Sequence, residues 1–177
     1  MDALRKEEVY TINDIYALPD GERAELIDGK IYYMAPPSWG HQRISGKLFQ
    51  LIANYIDSKN GDCQVLAAPF AVFLGKDDIN YVEPDISVIC DLSKLDDKGC
   101  HGAPDWIIEV VSPSSRTMDY MKKMLKYERA GVREYWIVDP DKQHIMVYQF
   151  EKEIMEQYSF GDPVPVGIYD DLILKIE

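Results

Sequence analysis

Trp106-Ile107-Ile108-Glu109-Val110-Val111-Ser112-Pro113 is a strand with an acid at its centre. Residues 106–111 are otherwise aromatic or aliphatic and strand-forming. Alternation puts Trp106, Ile108 and Val110 on one face and Ile107, Glu109 and Val111 on the other. Glu109 therefore shares its face with two β-branched neighbours, where a bare carboxylate costs several kcal/mol or so unless something compensates it. Just upstream, Pro84-Asp85 opens a second apolar run, Ile86-Ser87-Val88-Ile89-Cys90, and just downstream a lysine-rich helix begins. An acid at a strand start, an acid inside the next strand and a lysine beyond make a metal-site arrangement. The same pattern also fits an internal Glu–Lys pair with no chemistry, and at this point both readings stand.

The bulk numbers bound the rest. A chain of 177 residues, 46% apolar and 28% charged, predicts one globular domain spanning residues 1–177. Met1 to Glu8 contains no apolar leader, and no later apolar run approaches membrane-spanning length, so a soluble cytoplasmic protein is expected, with no membrane partner. Cys63, Cys90 and Cys100 are scattered and read neither as a disulfide framework nor as a zinc site. His41, His101 and His144 lie too far apart for a local metal motif, so any metal should be a hard cation held by oxygen. The net charge of −12 argues against a protein that coats nucleic acid. Between positions 116 and 133, however, six basic residues (Arg116, Lys122, Lys123, Lys126, Arg129, Arg133) face two acids, Asp119 and Glu128. That local excess fits a phosphate-contacting surface or a solvated helix face.

Along the chain, Thr11 with Asp14 three residues on predicts a helix start that ends before Pro19. Asp28-Gly29 predicts a hairpin over residues 24–34 with Ile27 facing Lys30 and Glu25 facing Tyr32. Glu25 then either projects toward a site or pairs diagonally with Lys30, and the pattern favours the pair. Ile44, Leu48, Leu51, Ile52, Tyr55 and Ile56 form one stripe of a helix over residues 40–58, with His41 facing inward near its start. Strands follow at 65–74, broken at Pro69, and at 81–90, then a polar loop at 91–104 and the Glu109 strand. The next helix predicts an apolar arc of Met118, Met121, Met124 and Leu125 beside a stripe of Asp119, Lys123 and Tyr127. Gly131 ends that helix, and strands are expected at 134–138, 144–150, 154–160 and 172–176. The order implies an α/β fold around a mixed sheet, with extra hairpins at both ends.

Several strings together carry a resemblance. They are Ala24 to Gly29, His41, Pro84-Asp85, Glu109 to Ser114, Asp119, Lys123, Tyr127 and Ala130-Gly131-Val132-Arg133-Glu134-Tyr135-Trp136-Ile137-Val138-Asp139-Pro140. This set resembles the Uma family of restriction-endonuclease-like proteins, within the PD-(D/E)XK nuclease superfamily, over roughly residues 10–150, with a core at 24–150. The resemblance implies a restriction-endonuclease-like mixed sheet flanked by helices. It also implies a Mg²⁺-dependent endonuclease acting on DNA, with Mn²⁺ as substitute. By the same resemblance Asp85 and Glu109 hold the metal with the Val110 carbonyl, Lys123 is catalytic, and Glu25 is a further acid near the metal. His41, Asp119 and Tyr127 would support them, while Arg116, Lys122 and Lys126 are candidates for phosphate contact. One departure stands out: the superfamily lysine two residues after the glutamate is Val111 here, and the role falls to Lys123 on the following helix. Adjacent strands can bring two acids within about 4–6 Å, where they repel until a cation joins them.

Two other classes compete. One is a catalytically silent nuclease-fold protein that serves as a binding or assembly module. The other is a two-carboxylate hydrolase of glycosides, which the basic helix disfavours. A single site cuts one strand, so a homodimer is the expected route to cutting a duplex.

Overall fold

The computed structural model describes residues 8–177; the segment 1–7, including most of the stretch read as lacking an apolar leader, lies outside the described residues. Helix α1, Ile12–Tyr16, begins where Asp14 accepts the Thr11 N–H at 2.7 Å. Strands β1, Ala24–Ile27, and β2, Lys30–Tyr33, form the expected hairpin. Asp28 and Gly29 both take positive φ, 52° and 71°, as this turn demands. The register pairs Glu25 with Tyr32 and Ile27 with Lys30, as the turn predicts. Helix α2, Trp39–Ser58, is capped by Ser38, whose Oγ accepts the His41 N–H at 3.2 Å, and buries Ile44, Leu48, Ile52 and Ile56.

Strands β3, Gln64–Ala67, β4, Val72–Phe73, and β5, Ile86–Ile89, come next. The stretch 91–104 is more ordered than a loop. It holds a 3₁₀ turn, Leu92–Lys94, and two short strands, β6, Leu95–Asp96, and β7, Gly99–His101. These join β4 in a three-stranded sheet. Gly99, at φ 143°, makes this possible, since a Cβ there would meet the Ala71 carbonyl oxygen at 2.3 Å.

Strand β8, Trp106–Val110, leads through a π-helical stretch, Met118–Lys123, into helix α3, Met124–Ala130. Gly131, at φ 94°, stops α3. Strand β9, Glu134–Asp139, returns parallel to β8, and β10, His144–Gln149, and β11, Ile154–Ser159, continue antiparallel. A small pair, β12, Val164–Pro165, and β13, Ile173–Leu174, closes the chain.

The main sheet has the order β11-β10-β9-β8-β5-β3. Its one parallel pair, β8–β9, is central and buried on both faces, as a helical crossover dictates. The alternation read from β8 holds. Trp106, Ile108 and Val110 pack with the α2 stripe, while Ile107 and Val111 pack with Tyr127 and Tyr135 on the opposite side. The result is a mixed sheet flanked by helices with hairpins at each end. Among the described residues no helix is long and apolar enough to cross a membrane.

Two expectations are corrected. Met121 and Leu125 of the apolar arc are 61% and 44% exposed, whereas Asp119, Lys123 and Tyr127 are buried. The i→i+5 winding of the π-helical stretch sets residues four apart nearer one line, and that line faces the sheet. Cys63 and Cys90, read as unrelated, form a disulfide. They sit one step beyond the Gln64–Ile89 pair, directly across β3 and β5.

Glu134 opens β9 fully buried, accepting from Trp136 Nε1 at 2.6 Å and from the Ile168 N–H at 2.9 Å. Burial pushes its pKa up, against those donors and the Gly167 amide. The folded state therefore holds the Glu134 proton more tightly than the unfolded chain. This stabilisation is complete below the unfolded value of about 4.3 and is lost as pH rises through the raised folded value. Melting curves of wild type and Glu134→Gln should show the wild type losing ground as pH climbs from acid to neutral. A difference that moves the other way contradicts the assignment.

Candidate metal centre

The β5–β8 register pairs Ile86 with Ile108, so the next step sets Asp85 opposite Glu109. Directly opposed residues project from the same face of a sheet. Two acids 24 positions apart in sequence thus become cross-strand neighbours, and the Asp85 N–H reaches Glu109 Oε2 at 3.4 Å. Asp85 lies just outside its strand, where its side chain takes over the edge of the ladder: Oδ2 accepts the Val110 N–H at 2.7 Å. His41, from the first turn of α2, brings Nε2 to the same oxygen at 3.0 Å.

Lys123 is the hub. Its Nζ lies 2.8 Å from Glu109 Oε1, 2.9 Å from Glu25 Oε2 and 3.7 Å from Asp119 Oδ1. Tyr127, one turn further on, donates its hydroxyl to Glu109 Oε1 at 2.7 Å. Glu25 does not turn to Lys30. Its second oxygen instead accepts the Glu83 N–H at 3.0 Å, so both oxygens are committed to the site. The side chains of Lys123, Glu25, Glu109 and Asp119 are each 6% exposed or less.

The electrostatics follow from crowding. Burial, together with Asp119, Asp85 and Glu25, lifts the Glu109 carboxyl well above its ordinary value, and Lys123 works against the shift. Burial raises Asp119 to about 6, again opposed by Lys123. Burial works to lower the pKa of Lys123, but Glu109, Glu25 and Asp119 outweigh it and raise it well above its ordinary value, so the ammonium stays charged. Glu109 and Lys123 both move up, and the two shifts are compatible. Three carboxylates share one lysine, with Asp85 close by, so the lysine keeps its charge while the surplus negative charge favours protons on Glu109 and Asp119. Burial lowers the pKa of His41, yet the hydrogen bond and charge of Asp85, with the Val110 carbonyl, leave it raised overall. Asp85, Glu109, Glu25 and Asp119 set against Lys123 and His41⁺ leave two negative charges in excess when all are ionised, the amount one divalent cation cancels.

The donor set fits such an ion. Asp85 Oδ1 has no hydrogen-bond partner among the described residues, and Glu109 Oε2 receives only the long contact from Asp85. Asp119 Oδ1 and His41 Nδ1 are buried without hydrogen bonds. Among the described residues no three His, Cys, Asp or Glu side chains form a ready-made metal cage. Mg²⁺ rarely needs one: it binds through one or two carboxylates and keeps several waters.

Among the sequence-predicted residues, Asp85, Glu109, Val110, Glu25, Lys123, Asp119, Tyr127 and His41 come together. Arg116 does not join them; it pairs with Asp139 and Asp141. Lys126 pairs with Asp28, and Lys122 donates to the Tyr32 hydroxyl at 2.8 Å. Two contributors escaped the sequence reading. Glu83 anchors Glu25 through its backbone while its carboxylate pairs with Arg23 and accepts from Tyr81. Tyr135 holds the Asp119 carbonyl at 3.1 Å. The Glu-Pro-Asp string hinted at Glu83, but nothing local marked Tyr135.

Comparison with known proteins gives the family and the fold. A family model, Uma2, described as "Putative restriction endonuclease", matches residues 11–172. The uncharacterized protein slr1290 of Synechocystis sp. is 30% identical over 128 residues, which cover 72% of this chain. The match spans 66% of the length of that curated relative. A crystal structure described as a "putative nuclease belonging to DUF820", from Anabaena variabilis, superposes with a TM-score of 0.76 at 24% identity. That likeness covers 93% of this chain and 94% of the other, and it is a likeness of fold.

Removing one member of a buried ion-pair cluster leaves the others uncompensated. Lys123→Met should cost about 3–5 kcal/mol in urea unfolding at neutral pH. Tyr127→Phe, which removes one hydrogen bond, should cost about 1–3 kcal/mol. Equal stability of Lys123→Met and wild type would mean that the ammonium is not shared as described.

Proposed function

This chain belongs to the Uma2 family, and we propose that it is a divalent-metal-dependent endonuclease that hydrolyses DNA phosphodiester bonds, with Mg²⁺ as the working ion and Mn²⁺ as its substitute. The observation that carries the reading is Lys123 held charged against Glu109, with Asp85 opposite on the next strand. This is the PD-(D/E)XK set of groups with its lysine supplied from the helix. In this reading Asp85, Glu109 and the Val110 carbonyl hold the ion, within one nuclease domain.

The bound ion supplies Lewis-acid activation of the attacking water and neutralises charge on the phosphate. The chain's own residues do the rest. Asp85 is oriented by the Val110 N–H and by His41, both on Oδ2, which leaves Oδ1 for the ion. Lys123 sits where a fixed cation favours the negative charge that builds on phosphorus as water adds and the ester oxygen departs. Glu25 and Asp119 keep Lys123 protonated and positioned. Glu109 is held through Oε1 by Lys123 and Tyr127, which leaves Oε2 for the ion, and the proton the water loses passes to solvent. Lys122 and Lys126 offer phosphate contacts, and a two-fold pair of chains is the economical assembly for cutting both strands.

One observation favours a second reading. With carboxylates on three sides, Lys123 could serve as a structural lock, leaving a silent module. Plasmid nicking separates the two. Wild type should nick with Mg²⁺ or Mn²⁺, and Asp85→Asn should lose about 100-fold or more. No cleavage by wild type with any divalent metal favours the lock. At ~10 mM Mg²⁺ and a Kd of ~1 mM, binding should add about 1.4 kcal/mol, a Tm rise of roughly 3–6 °C. Asp85→Asn should erase that rise; an equal rise in the variant points to binding elsewhere on the acidic surface. Lys123→Met, assayed at a temperature where its circular dichroism is native, should lose about 100-fold in cleavage while keeping the Mg²⁺-induced rise. Full cleavage would remove Lys123 from the chemistry.

A further inference from the structure

The hairpin β1–β2 and the segment from Lys122 into helix α3 enclose an open groove of about 290 Å³. Ile27, Tyr32 and Leu125 give it apolar and aromatic surface; Lys30, Lys122, Lys126 and Arg129 line it with cations, together with Asp28. Two of its residues are direct neighbours of the site. Tyr32 is the cross-strand partner of Glu25, and Lys122 precedes Lys123. Both walls of the groove therefore belong to elements that also carry site residues.

Its charge is unusual for a chain of net charge −12. Four cations crowd one small groove, and the acid within it, Asp28, is paired with Lys126. Arg129 pairs with no carboxylate among the described residues. Lys122 is satisfied by a neutral group: its Nζ donates to the Tyr32 hydroxyl at 2.8 Å and lies 4.8 Å from the ring centroid. That contact keeps the half-buried Tyr32 ring in place at the groove wall. Leu125, 44% exposed, offers an apolar patch beside it.

We propose that this groove binds the strand next to the cleaved phosphate as single-stranded DNA, with Tyr32 stacking on an unpaired base and Lys122 and Arg129 on its phosphates. The inference rests on the nuclease reading above and names its substrate. Cations alone would suit any phosphate backbone. The aromatic ring and the apolar surface decide between the forms of DNA, because in a continuous duplex the base faces are stacked out of reach. The groove's volume, about 290 Å³, lies close to the lower bound of the roughly 300–1,000 Å³ of small-ligand pockets and gives room for one nucleotide unit. The favoured substrate is thus a single strand or a duplex with a single-stranded tail.

The test uses Asp85→Asn as the parent, so that binding is read without cleavage, and fluorescence anisotropy in Ca²⁺. The probes are a single-stranded oligonucleotide of about 12 nucleotides and a blunt duplex of the same sequence. In that parent, Tyr32→Leu should weaken single-strand binding by about 5- to 20-fold while Tyr32→Phe stays within about 2-fold, since a ring stacks and a leucine does not. Duplex affinity should be the same for both. Lys122→Ala and Arg129→Ala should each reduce the salt slope of single-strand binding by about 0.7. Equal losses on duplex and single strand, or no loss with Tyr32→Leu, overturn the groove assignment even when wild type cuts DNA. Selective single-strand binding without cleavage by wild type keeps the groove assignment and removes the nuclease.

Discussion

Lys123 keeps its charge in the interior because Glu109, Glu25 and Asp119 surround it, and each reaches it from a different part of the chain. Glu109 comes from the central strand, Glu25 from the N-terminal hairpin and Asp119 from the π-helical stretch. An isolated ammonium there would cost several kcal/mol, so the hairpin and the helix must both be docked before the lysine is stable in place. Folding and site assembly are therefore one event here. The same coupling explains why the helix turns a charged stripe inward and leaves Met121 and Leu125 in solvent. Once Glu109 is fixed on a strand buried on both faces, leaving it without a counter-ion is costly, and the helix turns Lys123 inward to it.

Much of this was legible because the strongest signals are local. Alternation around Glu109 gave its face, and the Asp28-Gly29 turn gave the hairpin register. The spacing of Asp119, Lys123 and Tyr127 gave one stripe. What escaped depends on contacts distant in sequence. Glu25 has a near partner in Lys30, and the pattern preferred it; the true partner, Lys123, lies across the fold. The Cys63–Cys90 bond needs the β3–β5 register, which no local pattern supplies. The small sheet at residues 91–104 exists because Gly99 lets β7 approach Ala71, a closeness invisible in sequence.

The most specific string in the chain, Ala130 to Pro140, turns out to build the scaffold. Gly131 ends the helix in a left-handed conformation, Glu134 is held by Trp136 and Ile168, and buried Asp139 takes Arg116 and Tyr120. The residues that carry charge into the cleft are instead single positions on separate elements. Family membership therefore speaks firmly about the frame that sets β8 beside β9, and only indirectly about chemistry. Chemistry has to be argued from who touches Lys123 and Asp85.

The chemistry of the cluster comes down to charge balance. Asp85 and Glu109 are forced together by strand register, and Glu25 and Asp119 by their shared lysine, so four acids meet where two cations answer them. A buried site tolerates such an excess in two ways: the acids take protons, as the raised Glu109 and Asp119 are inclined to do, or a small hard cation joins the free oxygens of Asp85 and Glu109. A lock that served packing alone would need fewer acids, because each carboxylate beyond the number of cations adds repulsion that shared partners only partly offset. The surplus is costly to the fold and useful to a site that must draw in a cation, and that asymmetry is the physical ground for reading the cluster as a metal centre.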